Sequence, residues 1–152
     1  MATIHLNQTT TLTPAQFLAG LTDFGPGRAE IFERSSNEYT KVHGQSPGHA
    51  DVTEGSSGIW ERLDYDWTDP KHIVLKTTDS NFWGGDSSHT YTLKELPDGM
   101  TEVDLVVVRE GKNIKGKLLE AVVGTVGKGI FAKSFEKSIK AMEARSNGAK
   151  PS

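Results

Sequence analysis

Residues 88–109 read SHTYTLKELPDGMTEVDLVVVR, and their reading decides the architecture of the whole chain. His89, Tyr91 and Leu93 share one parity, as do Val103, Leu105 and Val107. This is the two-residue period of strands with one buried face. Between them, Leu96-Pro97-Asp98-Gly99-Met100 has the makings of a three-residue hairpin loop. Proline presets φ at the second turn position, and glycine supplies the left-handed bulge residue. Such a loop pairs Leu93 with Val103, Tyr91 with Leu105 and His89 with Val107. A slip of one residue would place half of these side chains in water, so turn chemistry and apolar faces agree on one antiparallel register.

Upstream the pattern repeats. From Glu38 to Gly111, strand-like runs alternate with turn clusters at 45–48, 55–58, 68–70 and 79–88, which is the spacing of an antiparallel meander. Ile59, Leu63, Tyr65 and Trp67 fall on one parity of their run, and Ile73, Leu75 and Thr77 on one parity of the next. One sheet face is therefore apolar and the other mostly polar. Residues 3–11 are rich in β-branched types, with Ile4 and Leu6 two apart, and predict a first strand. Thr13-Pro14 gives an N-cap with proline at the first helical position, and Phe17, Leu18 and Leu21 continue a short helix over 14–22. Phe24-Gly25-Pro26-Gly27 breaks it, and 28–32 forms a further turn or two.

Downstream the period changes to that of a helix. Ile114, Leu118, Leu119, Val122 and Val123 follow helical spacing, as do Ile130, Phe131, Phe135, Ile139 and Met142. Glu136 and Lys140 form a favourable i, i+4 pair on the outer face. A continuous helix over 113–145 would measure about 50 Å at 1.5 Å per residue, against about 40 Å across a compact domain of this size. Gly124, Gly127 and Gly129 stand among β-branched residues, all weak helix formers. The expectation is a bend or break there, then a frayed tail over 146–152, leaving one domain over 1–145.

The composition agrees with one folded domain. The chain has 152 residues, 35% apolar and 24% charged, enough for a core and unlike a disordered chain. Its net charge of −3 comes from interspersed signs and advertises no nucleic-acid face. No stretch approaches the ~20 apolar residues of a bilayer crossing, and the start lacks the basic and apolar regions of a signal peptide, so a cytoplasmic location without membrane insertion is expected. Cysteine is absent, which removes disulfides, thiolate nucleophiles and Cys-ligated zinc.

Strand, two short helices, a meander of about six strands and a long terminal helix is the element order of the helix-grip fold. The chain resembles the START-like, or SRPBCC, superfamily and its small bacterial polyketide cyclase/dehydrase-like proteins. The resemblance rests on that order, on Gly58-Ile59-Trp60-Glu61-Arg62 through Asp69-Pro70, on the Pro97-Asp98-Gly99 hairpin and on the terminal helix. It implies an α+β fold in which a curved antiparallel sheet of about seven strands wraps a long C-terminal helix. It also implies an apolar cavity between them holding a lipid, sterol or polyketide-like molecule. The residues themselves give only a sheet face and a helix stripe that must bury each other. Large rings on the inner face and glycines in the covering helix favour a hollow interior over a filled one.

A cavity so formed would be lined by Tyr65, Trp67, Leu75, Tyr91, Leu105 and Val107 from the sheet, Phe82 and Trp83 from the 79–88 loop, and Leu118, Val122 and Val126 from the helix. Glu61 and Arg109 are polar residues at inward parity, able to bind or polarise a carbonyl, or to pair with each other as structural charges. His89 could move a proton and Tyr91 donate a hydrogen bond, or both could be packed core residues. Phe82 and Trp83, beside Gly84-Gly85, read either as a hinged lid or as a cap on the core edge. His43, His49 and Asp51 cluster around a turn, but their spacing matches no metal-ligand pattern, and no metal is expected. Gly124-Thr-Val-Gly127-Lys128-Gly129 fails the Walker spacing, and 25–30 fails the dinucleotide fingerprint, so no cofactor is implied. Two main functions remain open. One is a binding module for an apolar small molecule. The other is a cyclase or dehydratase whose catalytic residues would be Glu61, His89 and Arg109. An interaction role, with the aromatic loop docked on a partner or on a second copy as a homodimer, is a third.

Overall fold

The computed structural model describes residues 1–32 and 35–148. Its elements in chain order are β1 (Ala2–Thr10), α1 (Pro14–Leu21), α2 (Arg28–Ile31), β2 (Lys41–Ser46), β3 (His49–Ser56), β4 (Ile59–Asp69), β5 (His72–Ser80), β6 (Ser88–Glu95), β7 (Thr101–Arg109) and α3 (Ile114–Gly148). The seven strands form one antiparallel sheet ordered β1-β7-β6-β5-β4-β3-β2. The meander thus runs in sequence from β2 to β7, and the first strand closes the far side by pairing with the last. This is the helix-grip architecture expected from the sequence.

The β6–β7 register is the one the hairpin chemistry requires, with Leu93 opposite Val103, Tyr91 opposite Leu105 and His89 opposite Val107. Gly99 supplies the left-handed residue at φ +84°, and Leu96 donates its N–H to the Met100 carbonyl at the loop's base. At the start of α1, Thr13 accepts from the Gln16 N–H at 3.1 Å while Gln16 accepts from the Thr13 N–H at 2.9 Å, a reciprocal capping box. In β5, Thr78 is passed over between the pairs Arg62–Asp79 and Leu63–Thr77. Such a bulge bends a strand locally. Alternate residues of the strands meet Phe17, Leu21, Phe135, Ile139 and Met142 of the helices in one core.

The expected joint in the terminal helix is absent. Helix α3 is continuous over 35 residues, about 52 Å at 1.5 Å per residue. It begins at an Asn113 cap, whose side chain accepts from the Gly116 N–H at 2.8 Å. The C-terminal half packs over the core, while the N-terminal half lies along β1 with Val123 against the core and with Leu118, Val122 and Val126 on its exposed outer face. The helix also passes the expected end at Arg145, and 149–152 of the expected tail lie outside the described residues. Outside the core, Lys140 stands 2.7 Å from Glu136 as the spacing predicts.

Candidate functional site

Between the sheet and the C-terminal half of α3 lies a cavity of about 670 Å³, within the range of small-molecule sites. Strands β3 and β4 contribute Glu54, Gly55, Ile59, Glu61 and Leu63, β7 contributes Arg109, and the loop after β5 contributes Trp83. The helical wall is Ile130, Phe131, Lys133, Ser134 and Lys137. Phe131 and Ser134 also border a smaller cleft of about 60 Å³ that reaches Phe17, His89, Tyr91, Leu105 and Met142.

Glu61 and Arg109 meet at the wall of this cavity. The Arg109 guanidinium donates to the Glu61 carboxylate at 3.0 Å, and the Thr77 hydroxyl donates to the same oxygen at 2.7 Å. A second guanidinium nitrogen lies 3.0 Å from His89 Nδ1 and 3.1 Å from Nε2. The guanidinium also sits 5.3 Å from the centre of the Trp83 ring, in cation–π range. The Arg109 and Glu61 side chains are 3% and 12% exposed, so the charges face the cavity and not bulk solvent. The three residues expected to act together are therefore joined in one chain of contacts, with Thr77 and Trp83 as further members.

The loop carrying Phe82 and Trp83 is fastened to its neighbours. Ser80 accepts through its hydroxyl from the N–H groups of Phe82 and Trp83 and donates to the Trp60 carbonyl. Gly84 donates to the Glu110 carbonyl, Lys112 to the Phe82 carbonyl, and Asn113 to the Asn81 carbonyl. Trp83 is buried and lines the cavity, whereas Phe82 is half-buried and outside the lining. The geometry is that of a cap tied to the ends of β7 and α3 and not of a loose hinge.

Several residues expected at the cavity occupy other places. Leu118, Val122 and Val126 project into solvent, because they lie on the face of α3 turned away from β1 and the core, which Val123 meets. The helical wall is built from residues further along. Leu75 and Val107 are fully buried and pack as core. Trp67 lies in a surface groove against Pro14, Leu18 and Pro70, away from the cavity. Tyr65 is also fully buried, and its hydroxyl donates to Glu54 and accepts from Arg28 at 3.0 Å. Tyr91 and Leu105 line the smaller cleft and Trp83 the larger one.

Tyr65 belongs to a second buried polar group that the sequence reading missed. Arg28 donates to Glu54 at 2.7 Å, to the Asp23 carbonyl at 2.8 Å and to Tyr65. Its guanidinium lies 4.7 Å and 4.6 Å from the ring centres of Phe24 and Phe32. Ser35 donates to Glu54 at 2.6 Å. Glu54 lies on the inward parity of Ala50 and Val52, a signal of the kind that identified Glu61. By contrast, His43 falls at a register shift in β2, so it does not oppose His49, and it meets Thr53 at 2.7 Å. Asp51 is instead gripped by Arg62 through two bonds of 2.8 and 2.7 Å, which hold its carboxyl below the usual carboxylate range. Among the described residues no group of three His, Asp or Glu could hold a metal ion.

No family model and no curated protein matches the sequence. Solved structures do match. A Thermus thermophilus protein superposes with a TM-score of 0.74 at 13% identity over 95% of this chain and 99% of its own. A START superfamily protein from Mycobacterium smegmatis gives 0.68 at 10% identity over 99% and 100% of the two chains. The Zhui aromatase/cyclase of a Streptomyces species gives 0.67 at 16% identity over 95% and 93%. At such identities the likeness is one of fold, and the chain has the START-like helix-grip fold over nearly its full length.

Proposed function

We propose that the protein binds a compact apolar molecule carrying an oxygen function, with its body in the cavity under α3 and its oxygen directed at Arg109. One observation carries this reading: a mainly apolar space of about 670 Å³ has the buried Arg109–Glu61 pair in its wall. Burial of the apolar body at about 25 cal/mol per Å² would supply most of the affinity, and the polar wall would fix orientation. Lys133 and Lys137 at the helical side favour ligands that end in an acid. Fatty acids, sterols and aromatic polyketides are the classes to test. The experiment is displacement of the dye anilinonaphthalene sulfonate, with Trp fluorescence followed in parallel. Saturable displacement by one class, lost in a Ser134→Trp variant that fills the space, supports the reading. If no class displaces the dye, or if the variant binds as well as the parent, the reading fails.

A second reading, a cyclase or dehydratase acting on a β-carbonyl chain, is favoured by one feature. Arg109 links a carboxylate and an imidazole, so polarisation of a carbonyl and movement of a proton would lie side by side. Structures sharing the fold include aromatase/cyclases. This reading requires turnover, and replacing Glu61, His89 or Arg109 must remove rate while ligand still binds.

A further inference from the structure

The N-terminal half of α3 carries apolar side chains that the rest of the chain leaves exposed. Ile114 is 82% exposed, Leu118 64% and Val122 52%, and the series continues through Val126 to Ile130. At about 100° per residue, Ile114, Leu118, Val122 and Thr125 share the outer face. Lys117 and Lys128 then fall on one flank, and Lys115 and Lys133 on the other. All four lysines are exposed. The one acid on this half, Glu120, is turned inward to the Met1 amine at 2.7 Å and the Gly111 N–H at 2.8 Å, with Lys117 at 3.6 Å. An apolar strip between two rows of lysine, with its acid withdrawn, is the pattern of an interfacial amphipathic helix.

We infer that this face of α3 docks on an anionic lipid surface, with Ile114, Leu118 and Val122 at the acyl boundary and the flanking lysines among the headgroups. Charge argues against a second copy as the occupant, because two such faces would bring lysine rows together. Continuity favours lipid over an acidic protein. Ile130, the last member of the exposed series, is also a wall of the cavity, beside Phe131 and Lys133. By the same 100° step Val126 and Ile130 lie just past the Lys115 and Lys133 flank, so the exposed apolar series winds round the helix towards the cavity mouth, a path that an apolar guest leaving a membrane would follow and a protein partner would not need. Among the described residues no helix is long and apolar enough to cross a membrane, so the contact is one of lying on the surface.

The test is co-sedimentation of the full chain with phosphatidylcholine–phosphatidylglycerol vesicles, against pure phosphatidylcholine. The expected result is pelleting with the anionic vesicles that weakens with salt and drops by about fivefold for each of Lys117→Gln and Lys128→Gln. Leu118→Asp should reduce it roughly tenfold or more. Its far-ultraviolet circular dichroism should not change, because the side chain is already in solvent. Absence of pelleting at low salt, or pelleting that the variants leave intact, overturns the inference. So does a dimer of the protein alone that Leu118→Asp dissociates, since a second copy would then own the face. Dye displacement reads the cavity separately, so either result can fail without the other.

Discussion

Glu54 of β3 stands directly across the ladder from Glu61 of β4, and each carboxylate is held by a different buried arginine, Arg28 for the first and Arg109 for the second. Like charges facing each other across a strand pair are destabilising, and here both border the same cavity. Two elements far apart in the chain supply the compensation, α2 from one side and the end of β7 from the other. The pairs divide the cavity's polar wall into two parts. Arg28–Glu54 also engages Tyr65, Ser35 and a backbone carbonyl, and Arg109–Glu61 engages Thr77, His89 and Trp83.

Breaking one pair should therefore cost more than removing it. Arg28→Met leaves the Glu54 charge buried, and a loss of about 3–5 kcal/mol is expected. Adding Glu54→Gln removes the stranded charge yet keeps an acceptor for Tyr65 and Ser35, so the double variant should be more stable than the single one. Urea unfolding of the three proteins measures this. A double variant no better than Arg28→Met would show that lost packing on Phe24 and Phe32, and not the unpaired carboxylate, sets the cost.

The unbroken course of α3 makes its glycines a liability that can be relieved. A Cβ at Gly129 would meet nothing within 4 Å, and one at Gly124 only the Ala2 Cβ at 4.0 Å. Each Gly→Ala change should stabilise by about 0.5–1 kcal/mol through backbone entropy. Gly127 differs, because its Cβ would approach Val123 at 3.0 Å and Ile4 at 3.2 Å, and alanine there should gain less or lose. Melting temperatures of the three single variants give the ordering. A helix that breaks at these glycines in solution would return a loss at Gly124 and Gly129.

The contrast with the expected joint shows what patterning conveys. The Leu93–Val103 register was legible because loop chemistry and face parity are both local and point the same way. Helical spacing likewise gave α3 its length, but the step from length to a break assumed a span of about 40 Å that the unbroken helix exceeds. Where a helix crosses a sheet is a tertiary fact, so the cavity wall at Ile130, Ser134 and Lys137 was not readable, and Leu118, Val122 and Val126 were placed one stretch too early. Glu61 and Arg109 could be found because each interrupts an apolar parity near a strand end. Arg28 could not, since its partner Glu54 lies 26 residues away and its own helix is a single turn.

Two glycines, one in the β6–β7 loop and one in β3, should respond to alanine for different reasons. Gly99 sits at φ +84° with open space around it, so Gly99→Ala should cost about 1–2 kcal/mol of left-handed strain and nothing sterically. At Gly55 a Cβ would come within 2.4 Å of the Ile59 carbonyl oxygen and 2.8 Å of the Trp60 Cα. Relief there requires the β3–β4 ladder to shift, at about 1–3 kcal/mol or more, and Gly55 lines the cavity. Dye binding should accordingly weaken in Gly55→Ala and stay unchanged in Gly99→Ala. Equal effects on binding would separate the β3–β4 turn from the site.

Acid should release the tether between β1 and α3. The Glu120 carboxyl is drawn down to about 2, first by its hydrogen bond from the Met1 ammonium, then by the Gly111 N–H, with Lys117 adding to both. A carboxylate whose folded pKa is depressed stabilises the native state fully above its unfolded value, here 4.5, and the contribution fades as pH falls towards 2. Glu120→Gln should thus be less stable than the parent at neutral pH, and the gap should shrink between pH 4.5 and 2 until the two proteins unfold alike. Chemical denaturation at stepped pH reads the difference directly. A gap that stays constant through this window would mean that the amide makes poorer hydrogen bonds and that the charge contributes nothing. Because Glu120 ties the N-terminal half of α3 to Met1 and Gly111, amide exchange in 114–126 should also rise in the variant, while exchange in β6 and β7 should not.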